Sequence, residues 1–544
     1  MTNAPPEDFI VLLLSFRLTR FGLARITRAV PLVGGLPIRA QPNGEGRDQP
    51  LDLNLAREQD ESVTTPRPDR DESAAMTQNQ RRVLFVAVCS SCLVILDGSA
   101  VNLALPAMGR ELGGGLAFQQ WVVDGYLLTL GALILAAGTV ADRYGRARLL
   151  EVGIVAFAVT SIICGISWNA WMLVAARVLQ GTAAAVVTPS ALALIIGSAS
   201  GGVRARMIGQ WTAWTAAASV AAPFIGGAAV DVATWRLVFL INIVPSALMW
   251  HPLAVLRREA PPPGKAGRLD ALGAALAVVG LGGLVLGLIQ QGAAGWADPF
   301  VIACLVIGTV GCVGFVARQH TAASPMLPLG LFGERNFAAG NLATLWAYGG
   351  LGMSFFVLGL YLQQRMGLHA FEAGLGLLPA TLCLLFLSPT AARLGARIGP
   401  RIPMAAGPAL AACSCAWMAF EVPPLSYWRD ILAPVILFGL GLALMVAPLT
   451  SAVLGAVPTE DSGIGSAVNN AVARIASLVC IASAGAIMGG KVDDAGFQRG
   501  MIATGLLLAA SALSSALWIR NPGRSETGAA GGGLSGDAAS QAGD

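Results

Sequence analysis

Between Arg82 and Arg520 the chain is an almost unbroken series of apolar segments, at 83–105, 118–139, 149–167, 171–196, 208–230, 237–256, 271–290, 299–317, 340–361, 373–391, 402–420, 431–450, 464–488 and 500–519. Each approaches or exceeds the ~20 residues that a helix needs to cross about 30 Å of hydrocarbon. Hydrocarbon offers the backbone no hydrogen-bond partner, so segments of this kind must close their bonds internally as helices. The pattern therefore predicts an all-α polytopic membrane protein with fourteen transmembrane helices. Hydrophobic residues make up 55% of the chain and charged ones 12%, about half the charged share of a soluble domain. A single water-soluble core is excluded. The net charge is +4 with no basic run or aromatic interleaving, so no nucleic acid is expected as a partner.

All nine cysteines lie in the apolar spans, where they act as small hydrophobes instead of a disulfide framework; Cys89 and Cys92 share one helix face. His251, His320 and His369 are scattered without ligand spacing, and no metal site is expected. Residues 1–80 carry 11 acids and 9 arginines with many prolines, a composition that buries too little surface to fold. Segment 1–81 is thus expected to be disordered, with a weak pattern for a membrane-surface helix over Phe9–Val30. Met76, directly before the first span, is a candidate translation start. Segment 521–544 reads as a flexible Gly/Ala/Ser tail.

Orientation follows from the basic residues of alternate connections. Eighteen Lys and Arg, among them Arg81, Arg148, Arg204, Arg258, Arg335 and Arg401, fall in one set, against six in the other. Both termini are predicted to be cytoplasmic, in the plasma (inner) membrane. The joint Gly138 to Arg148, GTVADRYGRAR, recurs as AARLGARIGPR from Ala391 to Arg401. Repeats of this kind mark two halves that rock about a central site. The expected organisation is a six-helix half at 82–256, an inserted helix pair at 257–317 and a second six-helix half at 318–520.

Four charged residues stand well inside these spans: Asp97, Asp124, Arg177 and Arg474. Each is a functional hypothesis by default, because a charge at the bilayer centre costs roughly 3 kcal/mol. At 1.5 Å per residue, Asp97 lies about 12 Å below the outer end of its helix, and Asp124 and Arg177 about 9 Å below theirs. They share one layer of the outer leaflet. Arg474 is near mid-membrane in the other half, with Asn469 and Asn470 one turn below it. Asp124, Asn102, Asn469, Asn470 and Arg474 are the substrate or vestibule candidates, although intramembrane Asn and Arg also serve simply to hold helices together.

Several motifs carry a family resemblance. GTVADRYGRAR, with Gly138, Asp142, Arg143, Gly145 and Arg146, resembles the loop 2–3 motif of the major facilitator superfamily. LDGSAVNLALP (Leu96 to Pro106), RVLQGTAAA from Arg177, WRLVFLINIVP from Trp235 and VNNAVAR from Val468 are similar to the fourteen-helix drug:proton antiporters of the EmrB/QacA group. Gly209 followed by APFIGG, containing Pro223, Gly226 and Gly227, resembles their antiporter motif, with Ala218 and Ala222 at two glycine positions. The resemblance implies a major facilitator fold in which Asp142, Arg143 and Arg146 form a cytoplasmic latch between the halves. It also implies efflux of small amphipathic compounds, such as drugs, antibiotics or secondary metabolites, in exchange for protons carried by Asp97 beside Arg177.

No enzyme motif is present, and the lack of a P-loop points to the proton gradient, not a nucleotide cofactor, as the energy source. The expected partners are a small-molecule substrate, protons and the lipid bilayer, with the chain working as a monomer. A proton-coupled uptake symporter or facilitator for a small metabolite on the same fold is the nearest alternative, and a non-transporting membrane sensor the alternative of another class. If Asp124 is the spare charge of the spans, substrates should be neutral or singly cationic.

Overall fold

The computed structural model describes residues 76–259, 270–323, 325–458 and 462–521, the side chain of Asp142 excepted. The surface helix over Phe9–Val30, the disorder of 1–75 and the tail from 522 lie outside the described residues. Among those that are described, fourteen helices are long and apolar enough to cross a membrane. They are α1 (Gln78–Leu112), α2 (Gly115–Tyr144), α3 (Arg146–Gly165), α4 (Ala170–Ser198), α5 (Gly201–Val232), α6 (Ile243–Glu259, led by the short helix Leu237–Leu240), α7 (Ala271–Ala294) and α8 (Pro299–Thr321). The second half holds α9 (Arg335–Leu360), α10 (Ala370–Ile398), α11 (Arg401–Phe420), α12 (Leu432–Leu454), α13 (Ser462–Met488) and α14 (Asp494–Trp518).

Polar residues at the span ends start these helices, because the first N–H groups of a helix have no partner within it. Thr77 and Gln80 form a reciprocal capping box that begins α1 at Gln78, five residues before the predicted span at 83, so residues 78–81 are helical and not part of a disordered segment. Asn169 accepts from the Met172 N–H at the start of α4, and Asp298 accepts from Phe300 and Val301 at the start of α8, where Pro299 needs no partner. Asp493 does the same for α14 through Gly496.

Helices α1–α6 pack among themselves, as do α9–α14, and two seams join the halves: α2 against α13 and α5 against α10. The apolar window of α2 is 78% buried and that of α8 only 22%, which makes α2 a central helix and leaves α8 facing lipid. The inserted helix α7 lies against both α2 and α13, and α8 packs on α7. That last contact is backbone to backbone. A Cβ at Gly283 would lie 2.8 Å from the Gly308 Cα, and one at Gly280 2.6 Å from the Cys312 nitrogen. Only small residues allow such an approach, which substitutes for the hydrophobic driving force that lipid removes.

Candidate functional site

RVLQG places Arg177, Gln180 and Gly181 on one face of α4, since residues three and four apart are neighbours on a helix. A Cβ at Gly181 would overlap the Tyr126 carbonyl and the Thr129 hydroxyl of α2. The missing side chain thus lets α4 sit hard against α2, and Arg177, one turn away, reaches inward. Its Nη1 donates to Asp97 Oδ2 of α1 at 2.7 Å and to Gln180 Oε1 at 2.7 Å, and its Nε donates to the Val122 carbonyl of α2 at 3.0 Å. The guanidinium lies 4.3 Å from the Tyr126 ring centroid and 5.7 Å from that of Phe239.

Asp97 is completely buried and fully bonded. Its Oδ1 accepts from Gln180 Nε2 at 3.0 Å and from Asn242 Nδ2 at 3.0 Å. Both amides also donate to Ser161 Oγ of α3, at 2.9 and 3.4 Å. Five elements of the first half therefore converge on one carboxylate, and the expected Asp97–Arg177 pair is present. Breaking a buried pair of this kind costs about 3–5 kcal/mol, because one charge is left uncompensated. Gln180, Asn242 and Ser161 were not singled out by the sequence reading, although Asn242 lies within the WRLVFLINIVP motif and Gln180 stands three residues from Arg177.

Asp124 does not join this network. It is 0% exposed, and neither carboxyl oxygen has a hydrogen-bond partner. Its helix face is the one turned to α13. One turn earlier Gln120 donates to the Ile481 and Ala482 carbonyls of α13 at 2.7 and 2.9 Å. Arg474 lies further along this seam, its Cβ 3.6 Å from where a Cβ on Gly131 would be. Asn469 donates to Asn341 Oδ1 at 3.1 Å and Thr344 Oγ1 at 2.8 Å, which ties α13 to α9. Asn470 is exposed and bonds its own helix at Ser466; Asn102 does the same at Gly98, leaving its Oδ1 buried without a partner. A fifth intramembrane charge, Glu151 near the start of α3, was missed because it sits close to a span end; Arg257 pairs with it at 2.9 Å.

The seams are tight at the arginine-poor end. A Cβ on Gly227 would meet the Phe371 Cα at 2.6 Å and one on Gly374 the Pro223 carbonyl at 2.9 Å, while within the first half one on Gly226 of α5 would meet the Ala100 Cα of α1 at 2.6 Å. Asp231, at the end of α5, accepts from the first N–H groups of α10, Ala370 at 3.2 Å and Phe371 at 2.8 Å. Gln364 donates to Gln119 at 3.0 Å between the halves. Toward the arginine-rich end two glycines of the seam helices are uncrowded: a Cβ on Gly138 of α2 or Gly209 of α5 would meet nothing within 4 Å. Of the antiporter motif, then, Pro223, Gly226 and Gly227 are in close contacts, whereas Gly209 faces open space.

At that same end Gly145 turns the chain between α2 and α3 at φ 92°, a conformation that costs other residues a strained backbone. Arg146 donates to the Ala193 carbonyl of α4 at 3.1 Å, so this bond of the loop motif stays within its own half. Arg143 is exposed, over the Tyr144 ring at 5.5 Å.

Comparison with known proteins agrees with this architecture. The Methylenomycin A resistance protein of Bacillus subtilis (strain 168) is 34% identical over 414 residues, covering 75% of this chain and 87% of that one. The Tetracenomycin C resistance and export protein of Streptomyces glaucescens is 33% identical over 417 residues, 76% of each chain. A crystal structure of the peptide transporter POT in complex with sulfate superposes with a TM-score of 0.59 over 81% of this chain and 96% of that chain; at 15% identity it speaks for the fold alone. The family model of the Major Facilitator Superfamily matches residues 87–481. With fourteen spanning helices in two packed halves and this match across most of its length, the chain is a multi-pass membrane protein that belongs to the Major Facilitator Superfamily.

Proposed function

We propose that this chain exports small amphipathic compounds across the plasma membrane in exchange for protons. One observation carries the reading: a carboxylate, Asp97, held at the centre of a buried hydrogen-bond network whose cation also grips the seam helix. Arg177 is bonded at once to Asp97 on α1 and to the Val122 carbonyl on α2. Protonating Asp97 removes the charge that holds the guanidinium, and α2, which forms a seam with α13, loses part of its anchor. Proton occupancy is thereby linked to the packing between the halves, which is what an antiporter needs. The resistance and export activities named for two relatives support the outward direction.

The excess of arginine in one set of connections assigns that end, and both termini, to the cytoplasm. The close seam contacts of Gly227 and Gly374 then lie at the outer end and the uncrowded Gly138 and Gly209 at the cytoplasmic one, which supports a state able to receive a substrate from within. The chain works as a monomer without a nucleotide cofactor, and as a transporter it has no catalytic residue. The decisive experiment is substrate-induced proton release from proteoliposomes, screened over dyes, antibiotics and metabolites. Export by antiport predicts proton movement opposite to the substrate, lost in Asp97→Asn. Co-movement of proton and substrate would instead establish uptake symport.

A further inference from the structure

Every group that bonds to the Asp97 carboxylate is a donor. Oδ2 accepts from Arg177, and Oδ1 accepts from the amides of Gln180 and Asn242. This set suits an ionised carboxylate, whereas a protonated one carries an O–H that needs an acceptor. A guanidinium has no acceptor to offer, so one of the two amides must turn over to present its oxygen. The two amides are not equivalent. Gln180 uses both of its ends: its Oε1 accepts from Arg177 Nη1 at 2.7 Å and from the Cys164 thiol at 3.6 Å, and turning it would break both contacts. Asn242 uses one end only, its Nδ2 donating to Asp97 and Ser161 while its Oδ1 is buried without a partner. Arg177, Tyr126, whose ring lies under the guanidinium, and Cys164 are the charged and titratable side chains that touch this network around Asp97; among the described residues no other is bonded to it.

We propose that Asn242 is the positioning residue for the coupled proton: when Asp97 takes a proton on Oδ1, the Asn242 amide turns over and its Oδ1 accepts from the new O–H. Left unturned, Asn242 would set an N–H against an O–H across 3.0 Å in a fully buried site, where an unmade hydrogen bond is costly. The turn makes two bonds for the two it gives up, because the Ser161 hydroxyl, which now accepts from Nδ2 at 3.4 Å, can donate to Oδ1 instead. Asn242 thereby serves both states of Asp97, as donor to the carboxylate and acceptor to the acid, whereas Arg177 and Gln180 are set for the ionised one. This rests on the export reading, in which Asp97 carries the proton.

The test is infrared difference spectroscopy on the purified full-length protein, acidified stepwise and isotope-labelled at the asparagine side-chain carbonyl. An aspartic acid C=O band should appear on acidification and be missing from Asp97→Asn. With it, one labelled amide C=O band should move to lower wavenumber, as a carbonyl does on accepting a hydrogen bond, and this shift should be missing from Asp97→Asn and from Asn242→Thr. Should an Asn242 variant fail to fold, the comparison of wild type with Asp97→Asn still shows whether an amide responds to that proton. In proteoliposomes Asn242→Leu, which offers neither donor nor acceptor, should slow gradient-driven export about tenfold, the size of one buried hydrogen bond. Asn242→Thr, whose hydroxyl both donates and accepts, should keep most of it. An aspartic acid band with no accompanying amide shift, or undiminished export in Asn242→Leu, overturns the role of Asn242 and leaves Asp97 as the proton carrier. The lack of any acid band that depends on Asp97 defeats both readings.

Discussion

Arg177 and Asp124 stand at similar depth on adjacent helices, yet the arginine is bonded to α1 and α2 while the carboxyl of Asp124 is turned away to α13 without a partner. The two carboxylates of this layer therefore differ in kind, one saturated with donors and the other bare.

Removing the cation should be the harsher change in the saturated network. Arg177→Leu leaves Asp97 buried with only amide donors, and we expect a loss of about 3–5 kcal/mol, seen as a large fall in thermal stability in detergent. Asp97→Asn keeps Arg177 on Gln180 and Val122, so the variant should reach the membrane and remain folded while gradient-driven export is lost. Undiminished export in that variant would remove Asp97 from the coupling role.

For Asp124 the expectation is reversed. It has no hydrogen bond to lose, so Asp124→Leu should hold or raise stability, by about 1–2 kcal/mol, as replacing an unsatisfied buried polar group with an apolar one does. Transport should fall in the same variant if the carboxyl is used when the seam opens. Thermal unfolding alongside a transport assay separates the two effects, and a destabilised variant would contradict the observed lack of partners.

Bulk at the seam should act according to place. Gly227→Leu puts a side chain where the Phe371 backbone lies at 2.6 Å, so the arginine-poor end should no longer close, and cysteines introduced there should stay reactive to membrane-impermeant reagents. Gly209→Val, with nothing within 4 Å, should leave that labelling pattern as in wild type.

The inserted pair carries its own pH dependence. Asp270 caps α7; burial pushes its carboxyl upward, but the Gly273 N–H, Arg318 and Gln319 outweigh this and hold it below the ordinary carboxylate range. A lowered value stabilises the folded state above the unfolded pKa of about 3.9, and that contribution disappears as pH falls through the folded value. The anchoring of α7 to α8 should thus be constant from about pH 5 upward and weaken only in stronger acid. Asp270→Asn should flatten this acid limb in thermal-shift measurements.

Helix number was legible because hydrocarbon tolerates so few sequences. The Asp97–Arg177 pair was legible because depth along a helix follows directly from residue count. What residue count omits is azimuth. Asp124 and Tyr126 are two residues apart, which turns them about 200° from one another on a helix; one faces α13 and the other Arg177, and nothing in the spacing of charges distinguishes them. Gln180, Ser161 and Asn242 escaped notice because uncharged polar residues are common in spans and become informative only when several helices aim them at one atom. Asn469 illustrates the converse, a conspicuous amide that turns out to tie α13 to Asn341 and Thr344.

The position of α7 makes the two seams unequal. The repeated halves would by themselves give two matching flanks, but α7 covers the line where α2 meets α13, whereas α5 and α10 meet without an inserted helix across them. An amphipathic molecule dissolved in the bilayer would therefore have to pass α7 to reach the line between α2 and α13, but no inserted helix to reach that between α5 and α10.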